Sequence, residues 1–230
     1  MTDPRSPIDT ADPIRVPPER IAETVDALCE AFHDYPVMRY GVGEAGAEYD
    51  RFLREMIHVF VSSRVLREDP ILGIEDAGRL VAIATITAPG ERPVPADFSA
   101  LRDAMWEILG PAARARYEVL VAVWERLAIP GVHYHVNMLG VRHAYAGRGL
   151  GGRLLREVHA MSLAHLTSTG VSLSTEDPKN VALYQHCGYR VVGHERVTDS
   201  LETWQFFRPD DAGGSRALFT RTEDLTCISG

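Results

Sequence analysis

The chain has 230 residues and a mass of 25.5 kDa, is 45% hydrophobic and 24% charged, and has a mean hydropathy of -0.11. Those values exclude the disordered, collagen-like and membrane-spanning classes and leave one globular domain as the starting expectation. Against 32 Asp and Glu stand 24 Lys and Arg, for a net charge of -8, with Lys179 the sole lysine. An acidic surface of this kind excludes non-specific partners such as nucleic acid or an anionic membrane, which need a basic face to release counterions.

Residues 1–18 carry Pro4, Pro7, Pro13, Pro17 and Pro18 without the basic start and apolar core of a leader peptide, and read as a flexible segment. The first helix is predicted over 19–34, where Ile21, Val25, Leu28 and Phe32 share one face, and Asp34-Tyr35-Pro36 ends it. A second helix, 46–63, carries an apolar stripe through Phe52, Leu53, Met56, Ile57 and Phe60. Strands are predicted at 70–75 and 79–88 around the turn Asp76-Ala77-Gly78. Pro89, Pro93 and Pro95 break the pattern before a helical insertion at about 97–128, interrupted at Gly110-Pro111, whose Trp106 and Trp124 read as packing residues.

After Pro130-Gly131 the pattern becomes a strand at 133–141, a helix at 150–168, a strand at 170–175, a helix at 178–187 and two closing strands at 189–196 and 201–208. Strand-helix-strand order requires a right-handed crossover and a parallel pairing. The expectation is therefore an α/β chain whose single domain, 19–209, is a central mixed twisted sheet flanked by helices, with 210–230 as a tail. Three cysteines, Cys29, Cys187 and Cys227, show neither C-x-x-C nor metal-ligand spacing, so no metal is expected and a reducing, cytoplasmic setting is. No apolar run reaches the ~18 residues of a membrane span.

One loop carries chemistry. Val141-Arg-His-Ala-Tyr-Ala-Gly-Arg-Gly-Leu-Gly-Gly-Arg-Leu-Leu155 joins a strand to an amphipathic helix, an arrangement that points backbone N–H groups at an anion. Between Glu125 and Glu157 there is no acid, while Arg126, Arg142, Arg148, Arg153 and Arg156 all fall inside. A Walker A loop is excluded because Arg153 and Leu154 come after Gly152 where Lys and Ser or Thr are needed. Gly147, Gly149 and Gly152 satisfy the dinucleotide fingerprint, with Glu176 near the ribose offset, but the 54 residues after Glu176 are too few for the rest of such a sheet.

A third reading is a resemblance. Leu139-Gly140-Val141 ends a strand, Ala146-Gly147-Arg148-Gly149-Leu150-Gly151-Gly152 opens a helix, and Asn180-Val-Ala-Leu-Tyr184-Gln-His-Cys-Gly188-Tyr189 comes about thirty residues on. In this order the segments resemble the acetyl-CoA-binding core of the GNAT N-acetyltransferase superfamily. Tyr189–Glu195 with Trp204–Pro209 resembles the subgroup that includes puromycin N-acetyltransferase. The family's Gln or Arg at the loop start is Ala146 here, so one side chain that would reach the phosphates or the loop is missing, and Arg142 or Arg148 is expected to compensate.

The resemblance implies an acyl-CoA-binding fold, acetyl-CoA as acyl donor and direct transfer to a primary amine of a small molecule in a ternary complex, by a monomer or homodimer. It implies that Leu139, Gly140 and Val141 supply backbone to the thioester and pantetheine. Ala146, Gly147, Arg148, Gly149, Leu150, Gly151 and Gly152 would hold the phosphates, Asn180 would contact the pantetheine or order its loop, and Tyr184 would protonate the leaving thiolate. The residues leave the general base open among Glu176, Asp177 and His135, the last placed on one strand face with Leu139 by alternation. A non-catalytic acyl-CoA sensor and a NAD(P)-dependent oxidoreductase are the alternatives.

Overall fold

A computed structural model describes residues 11–90 and 95–210. Helix α1, Ile21–Phe32, forms on the predicted spacing and buries Val25, Leu28 and Phe32. Pro36 does more than end it: an X-Pro start presets the first helical φ, and α2, Pro36–Val42, begins there. Helix α3 spans Tyr49–Leu66, and strands β2, Ile71–Asp76, and β3, Arg79–Thr87, pair antiparallel around Ala77 and Gly78. Helix α4, Ala96–Arg126, bends at Gly110, whose φ of 82° is left-handed, ahead of Pro111.

The second half has the expected order: β4, Tyr134–Val141; α5, Leu150–Ala164; β5, Gly170–Thr175; α6, Lys179–His186; β6, Arg190–Thr198; β7, Leu201–Pro209. One short strand precedes them all. β1, Ile14–Arg15, pairs antiparallel with Leu72 and Gly73, so the segment expected to be flexible contributes an edge to the sheet at these two residues. Its prolines flank the pair and leave the two N–H groups free to join the ladder. The expectations for 1–10 and for most of the tail, 211–230, lie outside the described residues.

The seven strands form one mixed sheet in the order β1-β2-β3-β4-β5-β7-β6. Among the described strands only β4 and β5 pair in parallel, which removes the doubly wound parallel sheet that a dinucleotide-binding reading requires. Helices α1, α3 and α4 cover one face, around Leu28, Leu53, Ile57 and Leu120. Helix α5 covers the other, through Leu150, Leu154, Leu155 and Val158 against Val136, Val171 and Leu173. Two core layers on one sheet leave little freedom in how β4 and β5 are held.

Two local features decide what lies between those strands. Parallel pairing runs only from Tyr134↔Val171 to Val136↔Leu173; beyond it β4 keeps β3 as its partner and β5 keeps β7, so the two strands part. At the same place the β3 register slips, with Thr85 opposite Met138 and Ile86 opposite Val136, leaving Asn137 as the bulged residue. A bulge advances the strand by one residue and reverses the facing of the residues after it. Gly140, four residues beyond Val136, lets α1 lie against the strand: a Cβ there would stand 2.9 Å from Ala31 Cβ and 3.0 Å from Leu28 Cδ2.

Candidate active site

The glycine turn forms as its sequence demands. A single 3-10 turn, His143–Tyr145, leads into Gly147 and Gly149, with φ of 78° and 69°, conformations that a side chain with a Cβ resists. Helix α5 then starts at Leu150 with no side-chain cap, and its first internal bond is donated by Arg153 N–H to the Gly149 carbonyl, 3.1 Å. The amides of Leu150, Gly151 and Gly152 are thus left to a ligand at the positive end of the helix dipole. Leu150, Gly151 and Gly152 are buried by their packing on the sheet, so the amide cluster is rigid.

The arginines divide. Arg142 is buried, donates to the Leu80 carbonyl at 2.9 Å and pairs with Glu30 at 2.5 Å. It clamps β4 to α1 and β3, which corrects the expectation that it compensates for the small side chain of Ala146. Glu30 also accepts the His143 N–H at 2.9 Å, fixing where the loop begins. Arg126 is taken by Glu195 at 2.6 Å. Arg148 stands exposed on the loop with its guanidinium 5.3 Å over the Tyr145 ring, and Tyr145 donates to Asp76 at 2.8 Å.

The parting of β4 and β5 opens into a cavity of about 520 Å³ between the sheet and helices α1, α3 and α4. Its lining brings together five residues singled out from the sequence: His135, Leu139, Glu176, Asn180 and Tyr184. His135 and Leu139 meet there for a different reason from the expected one. Alternation fails across Asn137, and Leu139 packs with Val136 toward the α5 core while Met138 joins the opposite one. The remaining residues singled out, Gly140, Val141 and Ala146 to Gly152, lie outside the cavity wall and continue from it along β4 into the glycine turn.

One end of the cavity holds an acid and a base. Glu176 is buried at the end of β5; its Oε1 accepts from Thr203 Oγ1 at 2.8 Å and from Trp124 Nε1 at 3.2 Å. Burial disfavours the carboxylate and raises its pKa, while these two donors resist the rise. Its N–H donates to Tyr35 Oη at 3.1 Å, and Tyr35 shares a 2.7 Å hydrogen bond with Thr175. Asn180 Nδ2 donates to the same Thr175 hydroxyl at 3.2 Å. Asn180 therefore orders the β5–α6 loop and does not cap α6; the Lys179 N–H is taken by Asp177 at 3.0 Å, which also commits Asp177 to the helix start.

Tyr184, on α6, is buried against Phe206 and Tyr189, and its hydroxyl makes no hydrogen bond among the described residues. Desolvation raises its pKa first, and Cys187 and Glu176 add to the rise, so the phenol keeps its proton at neutral pH. A protonated hydroxyl and a carboxyl within electrostatic range of each other are the elements of proton transfer in two directions.

The other end is different in character. His135 Nδ1 is 2.8 Å from Ser172 Oγ, whose hydroxyl also reaches the Tyr134 carbonyl at 3.4 Å. With the serine proton on that carbonyl, the histidine proton sits on Nδ1 and Nε2 keeps a free lone pair. Burial, with His133 and Arg64 adding, lowers the His135 pKa to about 4, so the ring is neutral at pH 7. Glu176 lies four positions beyond Ser172, about 13 Å along extended backbone. His135 and Glu176 thus attach to backbone positions well apart along the cavity.

Several lining residues carried no motif. Arg64, on the stripe-bearing helix α3, donates to Thr87 and, at 3.2 Å, to Asn137 Oδ1, with Asp69 at 3.8 Å. The ring of Trp124 packs as its sequence pattern implies; its indole N–H also holds Glu176. Tyr35 marked a helix end in the sequence and no chemistry. Arg64 falls one residue past the helix expected over 46–63, and the observed helix, Tyr49–Leu66, carries it.

Residues 113–191 match the family model of the acetyltransferase (GNAT) domain. N-alpha-acetyltransferase RimI of Mycobacterium tuberculosis is 37% identical over 67 residues, 29% of this chain and 41% of that protein, so the match spans about two fifths of that relative's length. Among solved structures, a histone acetyltransferase HPA2 and related acetyltransferase from Corynebacterium glutamicum superposes with a TM-score of 0.64 at 18% identity, over 86% of this chain and 96% of that one. The ribosomal-protein-S18-alanine N-acetyltransferase of Escherichia coli does so with a TM-score of 0.53 at 13% identity, over 90% and 97%. At those identities the two superpositions speak for the fold. Sheet order, the β4–β5 parting, the uncapped glycine turn and the family match agree, and residues 113–191 are similar to the acetyltransferase (GNAT) domain.

Proposed function

We propose that this chain is an acetyl-CoA-dependent N-acetyltransferase that passes the acetyl group directly to a primary amine of a small molecule. One observation carries the reading: a single cavity begins where β4 and β5 part, in line with the uncapped amides of α5, and contains Tyr184 and Glu176 at one end. The residues fit the donor. Leu150, Gly151 and Gly152 offer amides to its phosphates, Arg148 lies beside them, and the β4 edge past Val136 offers backbone to an extended pantetheine arm, a form of strand addition.

The chain's own groups divide the proton work. Glu176, its carboxylate made more basic by burial, takes the proton of the incoming ammonium. Trp124 and Thr203 fix the carboxylate through its Oε1. Backbone N–H groups at Leu139 to Val141 polarise the thioester carbonyl. Tyr184 gives its phenolic proton to the departing thiolate. His135, bonded to Ser172 four positions before Glu176, is assigned to acceptor binding rather than to proton transfer. Among the described residues no helix is long and apolar enough to cross a membrane.

The test is release of free thiol from acetyl-CoA in the presence of a panel of amines. Release that needs an amine, with kcat lowered by ~10²–10⁴ in Tyr184→Phe when chemistry limits turnover, is the expected result. Acetyl-CoA binding without release for any amine would identify a sensor on the same fold.

A further inference from the structure

The acceptor end of the cavity is walled by rings. Phe60 of α3 stacks on Tyr117 of α4 with centroids 5.9 Å apart and planes 30° from parallel; Trp106 lies 5.3 Å and Trp124 6.2 Å from the same Tyr117. All four line the cavity. Such a surface favours a planar apolar partner through area and offset stacking. Aromatic faces also attract cations, so a second ammonium has to be considered.

Charge decides between them. Among the described lining residues Glu176 is the one carboxylate, while Arg64 and Arg102 also line the cavity. Both arginines act on Tyr117, opposing the rise that burial causes in its pKa, which places their positive charge at the ring cluster itself. A second ammonium beside these rings would meet two guanidiniums, whose own partners Asp69 and Asp103 lie off the cavity wall at 3.8 and 3.4 Å from them, and no carboxylate on the wall itself. A single ammonium at Glu176, by contrast, meets a buried carboxylate.

Spacing sets the link between amine and ring. Trp124 spans the two regions by itself: its Nε1 touches Glu176 Oε1 at 3.2 Å and its ring meets Tyr117 edge-on. The width of one indole thus separates the carboxylate from the aromatic wall, so amine and ring must be joined by a short chain.

From these features we infer that the acceptor is an aromatic monoamine, its ring two or three carbons from the amine, and neither a polyamine nor a plain alkylamine. This rests on the N-acetyltransferase reading above. The experiment is a comparison of kcat/KM in thiol release by the full chain with 2-phenylethylamine, tryptamine, n-hexylamine, putrescine and spermidine. The aromatic amines are expected to lead n-hexylamine by at least ~10-fold, the yield of burying one ring against such a wall, and the polyamines by more.

Replacing rings by Phe60→Leu or Tyr117→Leu should bring the aromatic-to-alkyl ratio toward one while KM for acetyl-CoA stays within about twofold. Equal or better turnover of n-hexylamine, putrescine or spermidine by the wild type overturns the inference and leaves the acetyltransferase reading standing. Thiol release with none of the five overturns the inference; release with another amine of the wider panel then leaves the acetyltransferase reading standing, and release with none of that panel overturns both. The wild-type panel decides without either variant.

Discussion

The two halves of the site are built from different materials. The glycine turn and the β4 edge present backbone: amides at Leu150, Gly151 and Gly152, and a strand face freed where β4 leaves β5. The half proposed to take the acceptor presents side chains: Glu176 held by Thr203 and Trp124, Tyr184 on α6, and rings from α3 and α4. Backbone recognition tolerates a changed side chain, which is why Ala146 does not undo the turn. Side-chain recognition lets one scaffold change its acceptor by changing the helices above the sheet.

That contrast makes opposite predictions for substitutions on either side. The larger effect should come from Glu176→Gln. It removes the proton acceptor but keeps an oxygen for Thr203 and Trp124, so kcat should fall by ~10² or more, the usual contribution of a positioned base. In the wild type, activity should fall on acidification as Glu176 takes up a proton, with that limb above the ordinary carboxylate range; in the variant the limb should vanish.

Stability should move the other way. The unfolded carboxyl ionises at its ordinary value and the folded one at a higher pH, so wild-type stability falls as pH rises through that interval. Glu176→Gln is free of this cost and should melt no lower than the wild type at pH 7. A lower melting temperature together with an unchanged pH–rate profile would show the carboxylate to be structural.

A smaller effect, confined to the donor, is expected from Gly149→Val. Its φ of 69° costs a β-branched residue about 1–3 kcal/mol, and relief of that strain turns the α5 amides away. Acetyl-CoA should bind roughly 10-fold more weakly by calorimetry, a change of about 1.4 kcal/mol, with amine preference unaltered. A shift in amine preference would mean that the two halves are not separable.

The halves also differed in how far the sequence disclosed them. A glycine turn must obey local rules, and its residues, helix start and strand were legible from spacing alone. Tyr184 was singled out only through the resemblance, which the segment from Asn180 to Tyr189 carries because it is continuous in the chain. His135 and Leu139 share a face under a rule that the bulge at Asn137 breaks; a one-residue register slip against β3 leaves no mark in the β4 sequence. Arg142 counts with the phosphate-facing cations in the sequence because its partners, Glu30 and the Leu80 carbonyl, come from α1 and β3, more than sixty residues away. Trp124 and Arg64 were hidden for the same reason: Trp124 sits in an apolar helical pattern and Arg64 one residue past another, and only the fold shows that their polar atoms reach Glu176 and Asn137.

The proposed transfer requires the donor thiol to arrive where β4 and β5 part, between backbone on one side and Tyr184 on the other. A crystal structure of the chain with coenzyme A measures this directly. It should show the pyrophosphate on the amides of Leu150, Gly151 and Gly152, the pantetheine along β4 beyond Val136, and the sulfur within about 3.5–4 Å of Tyr184 Oη, the reach of a hydrogen bond to sulfur. A pantetheine lying outside the strand opening, or a sulfur beyond about 6 Å from that hydroxyl, would contradict it.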